Sequence, residues 1–285
     1  MLPIIEARNL SKTYGKLRAL DDISFSVQPG RILGLIGRNG AGKTTALKAI
    51  LGLTSCSGEL RVMGLDPRAS RNALMNEVCF IADTAVLPRW LRVDQIIDYV
   101  AGVHPRFDRA RADHFLTGTT IRRGSRIGQL SKGMITQLHL ALILAIDARL
   151  LVLDEPTLGL DLLYRRQFYD TLLNDYFDKQ RTIIVTTHQV EEVENLLTDV
   201  IFIDRGHILL DSSTEALAER FHLLLARPDQ LAAARALKPR SEREVFGRHA
   251  LLYDSVDPAQ LAALGEVSTP TVADLFVAMM QGEAA

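Results

Sequence analysis

The sequence is poor in cysteine, tryptophan and aromatic residues: two cysteines, one tryptophan and 6% aromatics in 285 residues. Cys56 and Cys79 show neither metal-ligand spacing nor a CxxC pair, so they read as small, buried apolar residues in a reducing compartment. No apolar stretch approaches the roughly 18 residues needed to span a bilayer. The longest, Leu138 to Ile146, reads as a core helix. Charge of one sign is also lacking. A formal net charge of −1 leaves no basic footprint for nucleic acid, although a local patch can hide in a balanced total. The first residues, Met1-Leu2-Pro3-Ile4-Ile5-Glu6, have no charged and apolar regions of a signal peptide. A cytoplasmic chain with no membrane insertion of its own is expected, free or held at a membrane by something else. Hydrophobic residues make up 47%, enough for one large domain with an appendage or two modest domains.

Against that background one stretch stands out. Gly37-Arg38-Asn39-Gly40-Ala41-Gly42-Lys43-Thr44 fits the phosphate-binding pattern G-x-x-x-x-G-K-[ST] at every fixed position. An apolar run, Ile32 to Ile36, reads as a buried strand leading in, and Thr45 to Leu51 has helical spacing leading out. Glycines let successive N–H groups approach phosphate oxygens, and the helix N-terminus adds partial positive charge. Lys43 is expected on the β- and γ-phosphates and the Thr44 hydroxyl on Mg²⁺. These residues imply a nucleoside triphosphate site.

Upstream, Ile4 to Leu10 and Ile23 to Val27 alternate like strands, separated by a polar connection, Ser11 to Lys16, that holds Tyr14. Tyr14 is either a half-buried loop aromatic or a ring for stacking on a base. Downstream, Gly58 to Gly64 and Val78 to Ala82 read as strands, then Val93 to Val103 and Arg109 to Leu116 as helices with Asp94 and Asp108 near their starts. Trp90, at the entrance of that helical stretch, reads as a packing anchor, with an interface contact as the alternative. Ser131 is placed to cap the helix after Leu130-Ser131-Lys132-Gly133-Met134.

Leu150 to Asp154 is a buried strand that delivers Asp154 and Glu155 at its C-terminal end, where open α/β sheets bind ligands. Successive strand side chains point to opposite faces, so the two carboxylates take different roles. Asp154 can support Mg²⁺ and Glu155 can polarise an attacking water. Arg181 to Thr187 is another apolar strand, ending at His188. A helix Val190 to Leu197, a strand Val200 to Ile203, a turn at Asp204-Arg205-Gly206 and a strand His207 to Leu210 are expected next. Ser212-Ser213-Thr214-Glu215 has the capping-box pattern opening a helix. Pro228 to Leu237 and Pro270 to Met280 read as helical, Glu244 to Tyr253 as a strand pair, and Lys238 to Arg243 as a solvated loop.

In order and spacing, residues 2 to 215 resemble the ATP-binding subunit of an ABC transporter. The resemblance implies an α/β fold: a P-loop NTPase (RecA-like) core, an antiparallel β subdomain and an inserted helical subdomain at about 87–147. Residues 1–214 would form the ATP-binding domain, and 215–285 a small α+β C-terminal accessory region. It casts Tyr14 as the adenine-stacking aromatic and Gly37, Arg38, Asn39, Gly40, Ala41, Gly42, Lys43, Thr44 and Thr45 as the Walker A cradle. Ser131 and Gly133 belong to the signature motif, Asp154 to Walker B, Asp161 to the D-loop; Glu155 is the catalytic glutamate and His188 the switch histidine. It further implies ATP and Mg²⁺ as cofactors, with ATP hydrolysed between two subunits closed head to tail. The partners implied are a separate transmembrane permease and a second ATP-binding subunit, with a homodimer favoured by the intact site. The place of work would be the cytoplasmic face of the plasma (inner) membrane.

Two positions depart from the family pattern. Asp83 stands where glutamine is usual; it remains an oxygen ligand suited to Mg²⁺, but is shorter and adds negative charge near Glu155. Lys132 stands where the commonest signature has glycine, as in the subfamily whose permeases are separate polypeptides of the ABC-2 exporter type. The alternatives are a soluble ABC ATPase acting as a switch on ribosomes or DNA, and a membrane-attached regulatory cassette that moves no solute. Members of the soluble class generally carry tandem cassettes or a long coiled coil; this sequence has one cassette and no sustained heptads. The cargo and its direction are not written in this chain.

Overall fold

A computed structural model describes residues 2–81, 87–158, 162–178 and 180–281. The chain begins with a hairpin, β1 (Ile5–Tyr14) and β2 (Leu17–Val27), followed by β3 (Ile32–Ile36), α1 (Lys43–Ile50) and β4 (Ser57–Val62). Strands β2, β1 and β4 make a three-stranded antiparallel sheet. The hairpin is longer than its sequence suggested. Lys12, Thr13 and Tyr14 pair with Leu20, Arg18 and Leu17, and the turn shrinks to Gly15 and Lys16. The polar side chains of Ser11 to Tyr14 are not deeply buried while their backbones stay in the ladder, so polarity disguised a strand.

After the short helix α2 (Arg71–Met75) come β5 (Val78–Ile81), three helices, α3 (Val93–Val103), α4 (Arg109–Thr117) and α5 (Lys132–Leu144), then β6 (Leu150–Asp154) and α6 (Leu162–Thr171). Strands β7 (Thr182–Thr187), β8 (Asp199–Asp204) and β9 (His207–Ser213) complete a six-stranded sheet of order β5-β6-β7-β3-β8-β9. All neighbours in it are parallel except β8 and β9. Every residue of β3, β6 and β7 is buried, as expected of parallel strands covered on both faces. Leu33 and Leu35 join the core shared with the antiparallel sheet and α1, whereas Ile32 and Ile36 join the core on the opposite face. Cys79 lies in that second core, where burial pushes its thiol up to about 12; Cys56 is only half-buried. Among the described residues no helix is long and apolar enough to cross a membrane.

The helical stretch carries a core of its own, built on Val93, Ile96, Ile97, Leu116, Ile127 and Leu138. Asp108 caps α4 by accepting from Ala110 and Arg111 N–H, and Ser131 caps α5 by accepting from Met134 N–H. Trp90 takes no part in that core. It is 77% exposed, which corrects its reading as a packing anchor. The expected helix Val190 to Leu197 is two separate tight turns, Val190–Glu192 and Glu194–Leu196, broken at Val193. Val190, Val193 and Leu197 are buried at helical spacing, but β-branched valines favour helix continuation little.

Beyond β9, Ser213 caps α7 (Thr214–Arg220) through Ala216 N–H, one residue later than the capping-box pattern placed it. Then follow β10 (Phe221–Ala226), α8 (Leu231–Ala236), β11 (Ser241–Val245), β12 (Arg248–Asp254), α9 (Pro258–Ala262), β13 (Gly265–Ser268) and α10 (Val272–Gln281). The four strands form an antiparallel sheet of order β11-β12-β10-β13, the arrangement of a split βαβ sandwich. Leu224, Leu251 and Tyr253 pack with Ala234 and Leu261 of the flanking helices, while Phe221 and Leu252 join Leu275 and Met279 in the main core. Lys238 to Arg243 is not wholly a solvated loop. Ser241 to Arg243 lie in β11, Glu242 pairs with Arg235, and Arg243 reaches Asp274 at 2.7 Å.

Candidate active site

Strand order places the site. β3 lies between β7 and β8, and β6 lies beside β7, so the C-terminal ends of β3, β7 and β6 are neighbours. From β3 the chain enters the phosphate-loop turn and then α1, whose first N–H groups have no intrahelical acceptor. Two glycines are required here. At Gly37 a Cβ would lie 2.3 Å from the Ile203 carbonyl oxygen, and Gly42, with φ +116°, would put one 2.5 Å from the Ala19 oxygen. Lys43 folds back over the turn, its Nζ donating to the Gly37 oxygen at 2.6 Å and the Arg38 oxygen at 3.3 Å. Burial lowers the Lys43 pKa from the ordinary lysine value, opposed by the charges of Glu155 and Asp154.

The carboxylates arrive from β6. Asp154 is buried, with Oδ1 3.5 Å from the Thr44 hydroxyl and 2.6 Å from that of Thr186. Glu155 leaves the strand with φ +49°, a costly conformation for a residue with a Cβ. Its N–H is held by Thr186, whose carbonyl and hydroxyl oxygens lie at 3.2 and 3.1 Å. Thr186 thus both donates to Asp154 and accepts from Glu155. It is fully buried, and sequence reasoning missed it, because only the register Asp154 opposite Thr186 reveals it. Glu155 Oε1 is 3.7 Å from Lys43 Nζ, and its Oε2 is 2.8 Å from His188 Nδ1.

Lys43, Thr44, Asp154, Glu155 and His188 therefore converge. An open cleft of about 260 Å³ beside them is lined by Tyr14, Arg38, Asn39, Gly40, Ala41, Gly42, Lys43, Thr44, Thr45 and Glu155. Leu17 and Ala19 also line it, and neither was singled out from sequence. Tyr14 is 45% exposed at the rim, with Lys12 Nζ 4.9 Å from its ring centroid and its hydroxyl 3.4 Å from that of Thr54. Ser131 and Gly133 do not line this cleft; Gly133 borders a different one, with Phe115, Gln167 and Phe168. Asp83 and Asp161 lie outside the described residues.

The oxygen donors fit Mg²⁺ in kind: a hydroxyl and a carboxylate close together, both hard ligands. Among the described residues no cluster of three acidic, histidine or cysteine side chains could hold a metal unaided.

The ABC transporter family model matches residues 20–158. Nod factor export ATP-binding protein I of Cupriavidus metallidurans is 31% identical over 280 residues, covering 92% of this chain and 90% of that protein. The chain belongs to the ABC transporter ATP-binding family. The ABC transporter ATP-binding protein YtrB of Bacillus subtilis is 27% identical over 219 residues, 76% of this chain and 75% of that one. In fold, an ABC transporter ATP-binding subunit of known structure superposes with a TM-score of 0.68 at 24% identity, over 76% of this chain and 92% of that one. As an ABC transporter ATP-binding subunit the chain binds ATP and is an ATPase, with a P-loop core and attached subdomains.

Proposed function

We propose that this subunit hydrolyses ATP to drive a separate membrane permease, acting as one half of a head-to-tail homodimer at the cytoplasmic face of the membrane. The observation that carries the reading is the Glu155 carboxylate, set between Lys43 and His188 at the end of β6. In this reading Glu155 is the general base toward the attacking water and His188 orients its carboxylate. Lys43 and the loop N–H groups hold the β- and γ-phosphates, and Tyr14 stacks on the base. Thr44 and Asp154 would hold Mg²⁺, with Asp83 contacting it through water; the ion would neutralise charge on the phosphates.

Ser131 and Gly133 serve the partner's nucleotide rather than their own, which accounts for their standing apart from the Lys43 cleft. The N-terminus of α5 there is a favourable place for an anion. Asp161 lies in the segment assigned to the subunit contact. ATP then favours the closed pair and its hydrolysis the open one, a two-state switch biased by ligand. Relatives named for Nod factor export support export as the direction. Asp83 is assigned to coupling: Asp83→Gln should change partner-stimulated ATPase more than ATP binding, and an unaltered stimulated rate would remove that role.

The test is to purify tagged Glu155→Gln chain with Mg-ATP from detergent-solubilised cells. A stoichiometric polytopic membrane protein is expected. Ribosomes or nucleic acid in its place would make the chain a soluble switch instead.

A further inference from the structure

The last paired residues of β6 and β7 are Asp154 and Thr186. Glu155 and His188 lie beyond them, on two loops, and their 2.8 Å hydrogen bond requires those loops to keep one relative position. A second tie joins the same two loops, made of side chains that have no part in the chemistry described so far.

Thr157, two residues past Glu155, is buried and donates through Oγ1 to Glu192 Oε2 at 3.5 Å. With its one hydrogen given to that carboxylate, Thr157 accepts from the Tyr169 hydroxyl, 3.3 Å away. Tyr169 belongs to α6 and is buried too. Burial pushes its phenol above the ordinary tyrosine value, so it stays a donor. Glu192 closes the tight turn Val190–Glu192 that follows His188. Its other oxygen accepts from Nη1 of Arg165, also on α6, and the same nitrogen donates to Gln189 Oε1 at 2.5 Å. Gln189 is the residue after His188. Its N–H is held in turn by the hydroxyl of buried Thr187, at 2.9 Å.

Arg165 and Tyr169 are one helical turn apart, so both leave α6 on one face. From that face Tyr169 reaches the loop after Glu155, and Arg165 reaches the loop after His188. The Arg165 and Glu192 side chains are only 21% and 20% exposed. Desolvating charges to that degree is costly, so such a pair is a poor device for stability alone. What it supplies is direction: charge-assisted hydrogen bonds from one rigid guanidinium fix two acceptors of a single turn.

We propose that Arg165 is a positioning residue for ATP hydrolysis: by clamping Gln189 and Glu192 it sets His188, and through it the Glu155 carboxylate, toward the attacking water. Thr157 completes the clamp on the Glu155 side. The inference rests on the reading of Glu155 as general base. Arg165, Gln189 and Glu192 do not line the Lys43 cleft, so the clamp acts on turnover and leaves nucleotide binding alone.

The test is a double-mutant cycle on the purified full chain, with Arg165→Leu, His188→Ala and the two combined. ATP hydrolysis at saturating ATP and one fixed protein concentration gives kcat, and a fluorescent-nucleotide titration gives affinity. Arg165→Leu should lower kcat about 10–10²-fold with affinity held. In the His188→Ala background the same substitution should add little, because the two residues act through one group. Arg165→Lys should recover part of the rate. Gln189→Ala, which leaves Arg165 on Glu192, should also lower kcat, and it carries the test if Arg165→Leu does not fold. A parental kcat in Arg165→Leu or in Gln189→Ala would overturn the proposal. So would an equal fold-loss with and without His188, the mark of an ion pair that serves the fold only. Glu155→Gln in the same series separates the clamp from the reading beneath it. If that variant turns over at the parental rate, the general base is wrongly assigned; if it does not while Arg165→Leu does, the clamp alone fails.

Discussion

His188 Nδ1 lies 2.8 Å from Glu155 Oε2, and the other oxygen of the same carboxylate lies 3.7 Å from Lys43 Nζ. His188 and Glu155 stand at the ends of β7 and β6, and Lys43 opens α1 after the loop that leaves β3, in a sheet where no residue of these three strands is exposed. Glu155 is thus held from both sides by elements that cannot shift independently. Its left-handed backbone is the local cost of aiming the side chain out of the strand end.

His188→Ala should lower ATPase activity about 10²-fold, because the carboxylate loses the partner that fixes its direction. Nucleotide affinity should hold, since His188 does not line the Lys43 cleft. His188→Gln, which can still donate a hydrogen bond, should recover part of the rate. Steady-state ATPase and a fluorescent-nucleotide titration on the three proteins separate the effects. An alanine variant of parental rate would remove His188 from the site.

Lys43→Met should abolish ATP binding without destabilising the ligand-free chain. Burial lowers the Lys43 pKa, so the folded state disfavours the ammonium form. Between that lowered value and the ordinary lysine value the unfolded chain binds more protons, and the Lys43 contribution to stability rises with pH. The methionine variant lacks that slope. Urea unfolding of parent and variant at about pH 8 and about pH 10 should show the difference in stability shrinking toward the higher pH. A variant that is less stable at both, by a constant amount, would contradict this account of the lysine.

Thr186→Val should cost about 1–3 kcal/mol in stability, because the buried Asp154 Oδ1 loses a donor while the Glu155 N–H keeps only the Thr186 carbonyl. ATPase should fall with it, while Thr186→Ser, which keeps the hydroxyl, should stay near the parent in both. Denaturant midpoints and rates for the two variants give the comparison.

Much of this arrangement is legible along the chain, and the reasons for the gaps are physical. The phosphate loop, the strand ending in Asp154 and the strand ending at His188 announce themselves because buried parallel strands are continuous apolar runs. Thr186 does not, because its importance comes from the pairing of β6 with β7, and register is not written in either strand alone. β10, Phe221–Ala226, passed unread because its run of three leucines shows no apolar–polar alternation. α9 and β13 were missed with it, so the strand pair β11 and β12 was recognised without the sheet it belongs to. Trp90 misled for a different reason. A lone tryptophan beside an apolar helix is usually core, but Trp90 lies in the turn closed by Leu91 N–H on the Pro88 oxygen, and its ring stays exposed.

The most direct test of the central claim, ATP-driven pairing of two such subunits across a shared site, is the mass of Glu155→Gln by sedimentation velocity with and without Mg-ATP. With the general base removed, hydrolysis should fall about 10²–10⁴-fold, so the closed state should accumulate. The expected result is a monomer without nucleotide and a species of twice that mass with it, lost again when Ser131→Arg blocks the signature face. A variant that binds ATP tightly yet stays monomeric at all protein concentrations would contradict the account.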